Sequence, residues 1–128
     1  MKRHVGLLAL VASAVLAASA FADKAPAKPV TISGEVVDTG CYLGHAAKGE
    51  KHKECAAKCI SGGMPIGLLT AKGKLYLLTP NHDNPDAYNK AKDMASSMVA
   101  VTGKVMERNG MSAIDVTDIK PAPVSTTK

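Results

Sequence analysis

The fold is decided by residues 98–119, which read MVAVTGKVMERNGMSAIDVTDI. In the first half, Val99 and Val101 begin an alternation of apolar and polar residues, the pattern of a strand with one face on a core. Asn109-Gly110 follows, and this dipeptide is the strongest short signal for a two-residue hairpin turn. The stretch therefore predicts two paired antiparallel strands near the C-terminus.

Upstream of this hairpin, the sequence predicts three more strands and one helix. Residues 30–38 are rich in β-branched residues and roughly alternate, which predicts a strand, and Gly34 inside it indicates a bulge or a sharp bend. Two short apolar runs, 65–70 and 74–79, flank a Gly-containing connection and predict an antiparallel hairpin. Asn84-Pro85 combines a favoured N-cap with Pro at the first helical position, so we expect a short helix over 85–94.

The predicted order of elements is strand, interrupted stretch, strand, strand, helix, strand, strand. This is the connectivity of the OB-fold, a five-stranded and partly open barrel. Residues 33–38 and 102–107 are similar to each other, each placing a Gly two residues before a Val where the strands of a small barrel coil, although a chance match would also explain the similarity. Over residues 30–120 the pattern resembles small secreted bacterial OB-fold proteins, and this resemblance implies the fold but no functional residues. We expect a mainly β protein, with one short helix after the third strand and a Cys/His-rich helical insertion between strands one and two.

The N-terminus has the three parts of a secretory signal peptide. Lys2 and Arg3 form a positive region, residues 5–16 are mostly apolar, and Ala20-Phe21-Ala22 supplies small residues for cleavage after Ala22. A membrane anchor is the alternative, but it would need about 20 continuous apolar residues. We therefore expect removal of residues 1–22, and a protein without a membrane anchor in the periplasm or the medium. Residues 23–29 and 121–128 are predicted to be a flexible leader and tail around a domain at 30–120.

Composition argues against several classes of function. The formal net charge is only +5, and two of the basic residues are lost with the signal peptide. Single-stranded nucleic acid is bound by aromatic side chains in a basic groove, whereas this mature chain would keep three Tyr and no other aromatic residue. The sequence also shows neither a nucleophile with a base nor paired carboxylates. We expect a protein that is not an enzyme and does not bind nucleic acid.

The insertion at residues 39–64 contains every cysteine of the chain. Residues 50–60 favour a helix that ends at Gly62-Gly63, since Gly readily adopts the left-handed cap. On such a helix His52, Cys55 and Cys59 are three and four residues apart in succession and are expected to share one face. Upstream of the helix, Cys41 and His45 can fold back over this face. Met64 lies just beyond the cap. The predicted ligand set is Cys41, His45, His52, Cys55, Cys59 and Met64.

Thiolates, imidazole and a thioether select Cu(I) or Zn(II) rather than Ca²⁺ or Mg²⁺. Three Cys and one His would complete a tetrahedral zinc site, whereas two or three sulfurs suffice for Cu(I). The segment Cys55-Ala-Ala-Lys-Cys59 resembles the Cys-x-x-x-Cys element of exported copper-handling proteins, the Sco family and the binuclear copper domains of oxidases. The resemblance covers five residues and lacks the downstream His positions of those families, so it implies only that Cys55 and Cys59 share a metal. We expect a small exported metal-binding protein, with copper favoured and zinc as the alternative, that serves storage, delivery or tolerance.

A disulfide is the competing interpretation, because cysteines of small exported domains usually pair in an oxidising compartment. Cys41 would bridge to Cys55 or Cys59, since two cysteines four apart on one helix seldom satisfy disulfide geometry. One thiol would then be left over, for a redox role or for none. Under this alternative the chain is a disulfide-stapled OB-like module that binds a periplasmic protein or a cell-envelope partner without a metal.

Overall fold

The hairpin predicted at 98–119 is present in the computed structural model, which describes residues 27–123. Strands β4 (Met98–Arg108) and β5 (Met111–Pro121) pair antiparallel. Asn109 and Gly110 both have left-handed φ angles, 50° and 82°, as a type I′ turn requires. The predicted signal peptide, most of the leader and residues 124–128 lie outside the described residues.

Three further strands complete a closed barrel in the order β1-β2-β3-β5-β4. All neighbours are antiparallel except β3 and β5, which are parallel. This arrangement confirms the mainly β, five-stranded, OB-like fold. The remaining elements are β1 (Val30–Asp38), α1 (Thr39–His45), a 3₁₀ turn (Glu50–His52), α2 (Lys53–Ser61), β2 (Ile66–Leu69), β3 (Leu75–Pro80) and α3 (Asp86–Lys92).

Two glycines allow the strands to coil tightly. At Gly34, a Cβ atom would lie 2.6 Å from the carbonyl oxygen of Leu69, and β1 changes partner next to it, from β4 to β2. At Gly103, a Cβ atom would overlap the carbonyl oxygen of Asp115, and the register of β4 against β5 shifts there. The pairing irregularity in these strands thus lies at Gly103, whereas Gly34 marks the bend of β1.

The core lies inside the barrel and is built from aliphatic side chains rather than aromatic ones. Its largest fully buried members include Leu68, Val99 and Ile114. Helix α2 adds Ala56 and Ile60 to the same cluster, and α3 adds two more alanines. Both helices are therefore packed against the barrel through small or branched apolar residues.

The helices agree only partly with the sequence-based prediction. Helix α3 is shorter than the predicted 85–94, and Asn84 Oδ1 accepts a hydrogen bond from the backbone N–H of Asp86 (3.2 Å). Helix α1 was not predicted as a separate helix, because Gly40 and Gly44 lower helix propensity. Asp38 at the end of β1 caps α1 and starts it. Across residues 27–123, no helix has both the length and the apolar character needed to cross a membrane.

Candidate metal centre

Helix α2 places two thiols at the edge of its contact with the barrel. Ala56 and Ile60 are buried, and Cys55 and Cys59 each precede one of them by a single residue. One residue corresponds to about 100° around an α-helix, so the thiols lie beside the buried stripe rather than opposite it. As a result Cys59 is half-buried and Cys55 is exposed.

The third thiol comes from α1, whose start is fixed by Asp38. The backbone N–H of Cys41 donates to Asp38 Oδ1 at 2.7 Å, which is an N-cap hydrogen bond. Met64 packs over the same turn, because its Sδ atom would lie only 2.7 Å from a Cβ atom at Gly40. The beginning of α1 is thus held between the end of β1 and the segment that leads into β2.

These elements bring all three cysteines together. The Sγ atoms of Cys41, Cys55 and Cys59 lie within 4.8 Å of one another, and all three thiols are free. In a tetrahedral zinc site with Zn–S bonds of about 2.3 Å, sulfur atoms are about 3.8 Å apart. Small side-chain adjustments would therefore let this thiol group, as we call the three cysteines, hold one ion.

His52 does not join the thiol group directly. It ends the 3₁₀ turn and is the N-cap residue of α2, and its Nε2 lies 3.1 Å from Asp38 Oδ2. With Asp38 and Cys41 it forms a second group whose ligand atoms also lie within 4.8 Å of one another. The predicted shared face of His52, Cys55 and Cys59 assumed one continuous α-helix, whereas the 3₁₀ turn rotates His52 towards the end of β1. Cys41 is the member that the two groups share.

Asp38 is the functional candidate that the sequence analysis missed. It is fully buried, and it accepts hydrogen bonds from the Cys41 N–H and from His52. Burial on its own raises the pKa of Asp38, but the hydrogen bonds of Cys41 and His52 and the charge of His52 outweigh it, so the net pKa is lowered. The available signal was an Asp at the end of a strand just before Thr39-Gly40-Cys41, where it can serve as an N-cap.

Two of the three thiols, those of Cys41 and Cys59, have raised pKa values. The hydrogen bond with Asp38, burial and the charge of that carboxylate raise the pKa of Cys41 to about 12. Burial and the hydrogen bond with Cys55 raise the pKa of Cys59. Metal ligation requires thiolates, so binding an ion at neutral pH must displace protons.

The two other predicted ligands occupy different positions. His45 is exposed at the end of α1 and belongs to neither group. His45 is the last residue of α1, whereas Cys41 meets Asp38 at the start of this helix. Met64 is half-buried, and its thioether lies against Gly40, the neighbour of Cys41 in the chain.

Two contacts hold the loops of the insertion at the rim of the barrel. The backbone N–H of Gly49 donates to Glu35 Oε1 on β1. Thr39 donates to the carbonyl oxygen of Pro65 from its backbone N–H and from its hydroxyl, each at 3.0 Å. The start, middle and end of the insertion are therefore each hydrogen-bonded close to β1 or β2.

A groove of about 560 Å³ runs beside α1. It is lined by the β1–β2 connection, by β3 and by the β4–β5 turn, with Leu43, Leu77 and Met111 among its residues. Leu43 and Met111 remain 72% and 63% exposed, so its walls present apolar side chains to solvent.

Comparison of the chain with protein-family models, with curated proteins and with solved structures finds no match.

Proposed function

We propose that this protein is a small exported metal-binding protein, which holds a soft metal ion through Cys41, Cys55 and Cys59. Cu(I) is the favoured ion and Zn(II) the alternative, and the role is storage, delivery or tolerance. The observation that carries the proposal is the thiol group itself, in which three sulfur atoms from two helices lie within 4.8 Å of one another.

The number of thiols favours a metal over a disulfide. A disulfide between Cys41 and either cysteine of α2 would use two sulfurs and leave the third beside it as a free thiol. A single metal ion uses all three, since trigonal or tetrahedral coordination brings three sulfurs to one point.

Donor type and exposure favour Cu(I) and an exchangeable site. Three sulfur ligands with no oxygen are the donor set that soft Cu(I) prefers. Cys55 is exposed, so a partner or a small chelator can reach the ion from solvent. Such access suits delivery or storage better than a buried structural ion would. The predicted signal peptide places this exchange in the periplasm or outside the cell, and no catalytic role is proposed.

The direct test is a titration of the reduced chain with Cu(I), under anaerobic conditions, against a chromophoric Cu(I) chelator. We expect transfer of copper from the chelator to the protein. Cys55→Ser should weaken binding by at least about tenfold, because it removes one ligand from a site whose affinity depends on ligand number and softness. His82→Gln is the matched control, since His82 is exposed and belongs to neither group. The proposal fails if the protein takes up neither copper nor zinc at micromolar concentrations.

The groove beside α1 favours a second candidate function, a binding module for a periplasmic protein or an envelope component. In that role the cysteines would serve as scaffold, with Cys41 bridged to α2. Serine substitution separates the two candidates. Loss of a native disulfide lowers the free energy of unfolding by about 2–5 kcal/mol, whereas loss of an exchangeable metal ligand leaves the metal-free barrel about as stable as before.

A further inference from the structure

The two donor groups are joined only through Cys41. His52 is hydrogen-bonded to Asp38 and is not a member of the thiol group. A single site with three Cys and one His would therefore require His52 to leave a fully buried carboxylate without its partner. Breaking a buried charge-assisted hydrogen bond in this way is costly.

We propose that Asp38, Cys41 and His52 form a second metal station, and that the Cys41 thiolate is shared between the ion there and the ion of the thiol group. This inference deepens the proposed function and depends on it. The inner station, as we call Asp38, Cys41 and His52, differs from the thiol group in donor chemistry and in access to solvent.

The geometry of the inner station fits a metal ion in place of a proton. His52 Nε2 and Asp38 Oδ2 are 3.1 Å apart. Two ligands bonded at about 2.0–2.1 Å to a tetrahedral ion are about 3.3 Å apart, so an ion can replace the shared proton with little movement of either side chain. Cys41 supplies the third ligand from within 4.8 Å of both atoms. A zinc ion with three protein ligands keeps its fourth position open for water.

The balance of charge also favours two ions. When metal displaces the thiol protons into solvent, three thiolates and the Asp38 carboxylate share one partly buried region. A single Cu(I) compensates only one of these four negative charges and a single Zn(II) only two, and uncompensated charge is poorly tolerated away from water. A second, divalent ion at Asp38 and His52 leaves one negative charge beside Cu(I) and none beside Zn(II), with the shared thiolate between the two cations.

The inner station and the thiol group suit different ions. Oxygen, nitrogen and sulfur donors together form a borderline set typical of Zn(II), whereas the thiol group contains only sulfur and suits Cu(I). Asp38 is fully buried and the His52 side chain is 19% exposed, while Cys55 is open to solvent. The inner ion would connect the end of β1, α1 and the 3₁₀ turn, and the outer ion would exchange.

Zinc is the right probe for counting, because it accepts sulfur, nitrogen and oxygen ligands and can fill both stations. We would load the reduced chain with Zn²⁺ and measure the number of zinc ions bound per chain by native mass spectrometry. We expect two ions per chain. His52→Gln and Cys55→Ser should each lose one ion, Cys41→Ser should lose both, and the control His82→Gln should keep both.

Cadmium NMR provides a second readout on the unmodified chain, which removes any dependence on how the variants fold. Two resonances coupled to each other through one bridging sulfur would support the shared thiolate. If the unmodified chain binds one ion and His52→Gln still binds it, the inner station is overturned while the proposed function stands. If the unmodified chain binds two ions and Cys41→Ser loses only one of them, Cys41 is not shared between the two ions. Failure to bind zinc or cadmium at all would overturn the inner station, whereas the proposed function would be overturned only if the chain takes up no Cu(I) either.

Discussion

The barrel and the insertion at residues 39–64 depend on different interactions. The barrel has a closed ladder of strand pairs around buried Leu, Ile and Val side chains. The insertion buries only Ala56 and Ile60 fully, and its other connections to the barrel are hydrogen bonds to Asp38, Glu35 and Pro65. Ordering each backbone residue costs about 1–2 kcal/mol, and the insertion has less apolar burial per ordered residue than the barrel to offset this cost.

This difference explains how a site can gain or lose a metal on a stable domain. Burial of apolar surface stabilises the barrel whether or not an ion is bound. The insertion is the part whose order depends on polar contacts and, by our proposal, on metal. Regions with few buried apolar contacts open most readily, which is what exchange of an ion with a partner requires.

The largest effect is expected in the barrel, from Gly103→Val. The new side chain would overlap the carbonyl oxygen of Asp115 and contact Ile114, so we expect a loss of at least about 3 kcal/mol in the free energy of unfolding. Urea denaturation followed by circular dichroism measures it. The matched control is Gly44→Ala in α1, where the added Cβ meets no atom within 4 Å apart from its chain neighbours and the backbone of its own helix, and there we expect a gain of up to about 1 kcal/mol. Equal effects of the two substitutions would contradict the contrast between barrel and insertion.

The next largest effect is expected in the insertion, from metal binding. Saturation with Zn²⁺ at a hundred times Kd should stabilise the folded chain by up to about 2.7 kcal/mol. Hydrogen exchange of residues 39–64 should slow, since bound metal restrains these residues, while exchange in β4 and β5 should change little. Chelation should reverse the protection. Uniform protection of both regions would show that the barrel depends on metal as well.

Asp38→Ala is expected to have an intermediate effect on the free energy of unfolding. Asp38 lies where the barrel meets the insertion. It removes the acceptor for the Cys41 N–H and for His52, which leaves two polar groups unpaired at a cost of about 1–3 kcal/mol. Thermal unfolding measures the loss, and zinc titration should show affinity falling by at least about tenfold. Asp38→Asn keeps an N-cap acceptor and should recover most of the stability but not the metal affinity. Full recovery of affinity by Asn would show that the carboxylate charge is not needed.

Local patterns in the sequence predicted the barrel well. Alternating valines identify β4, and Asn109-Gly110 identifies its turn, because strand periodicity and turn chemistry act between neighbours in the chain. The grouping of Cys55 with Cys59 follows in the same way from helical spacing. These elements needed no knowledge of the rest of the fold.

The inner station could not be predicted, because it depends on tertiary structure. Asp38 and His52 are separated by 14 positions and meet only because the 3₁₀ turn ends above the end of β1. His45 has the same spacing from Cys41 as Cys59 has from Cys55, yet it lies outside both groups. Spacing in the sequence tells which residues share one face of a helix, but it does not tell which of those residues contact a neighbouring element.

The smallest change is expected within the insertion, in the reactivity of its thiols. The pKa of Cys41 is raised to about 12, so this thiol stays almost entirely protonated at pH 8. Alkylation of the reduced, metal-free chain should therefore reach exposed Cys55 first and Cys41 at least about tenfold more slowly. Because the pKa is raised, the Cys41 rate should keep increasing up to about pH 12, and peptide mass mapping over a pH series measures it. Asp38→Asn is the sharpest comparison, since it removes the charge that disfavours the thiolate and should accelerate Cys41 selectively. If Cys41 reacts as fast as Cys55 in the unmodified chain, then Asp38 does not control the thiol that our proposal places between the two metal ions.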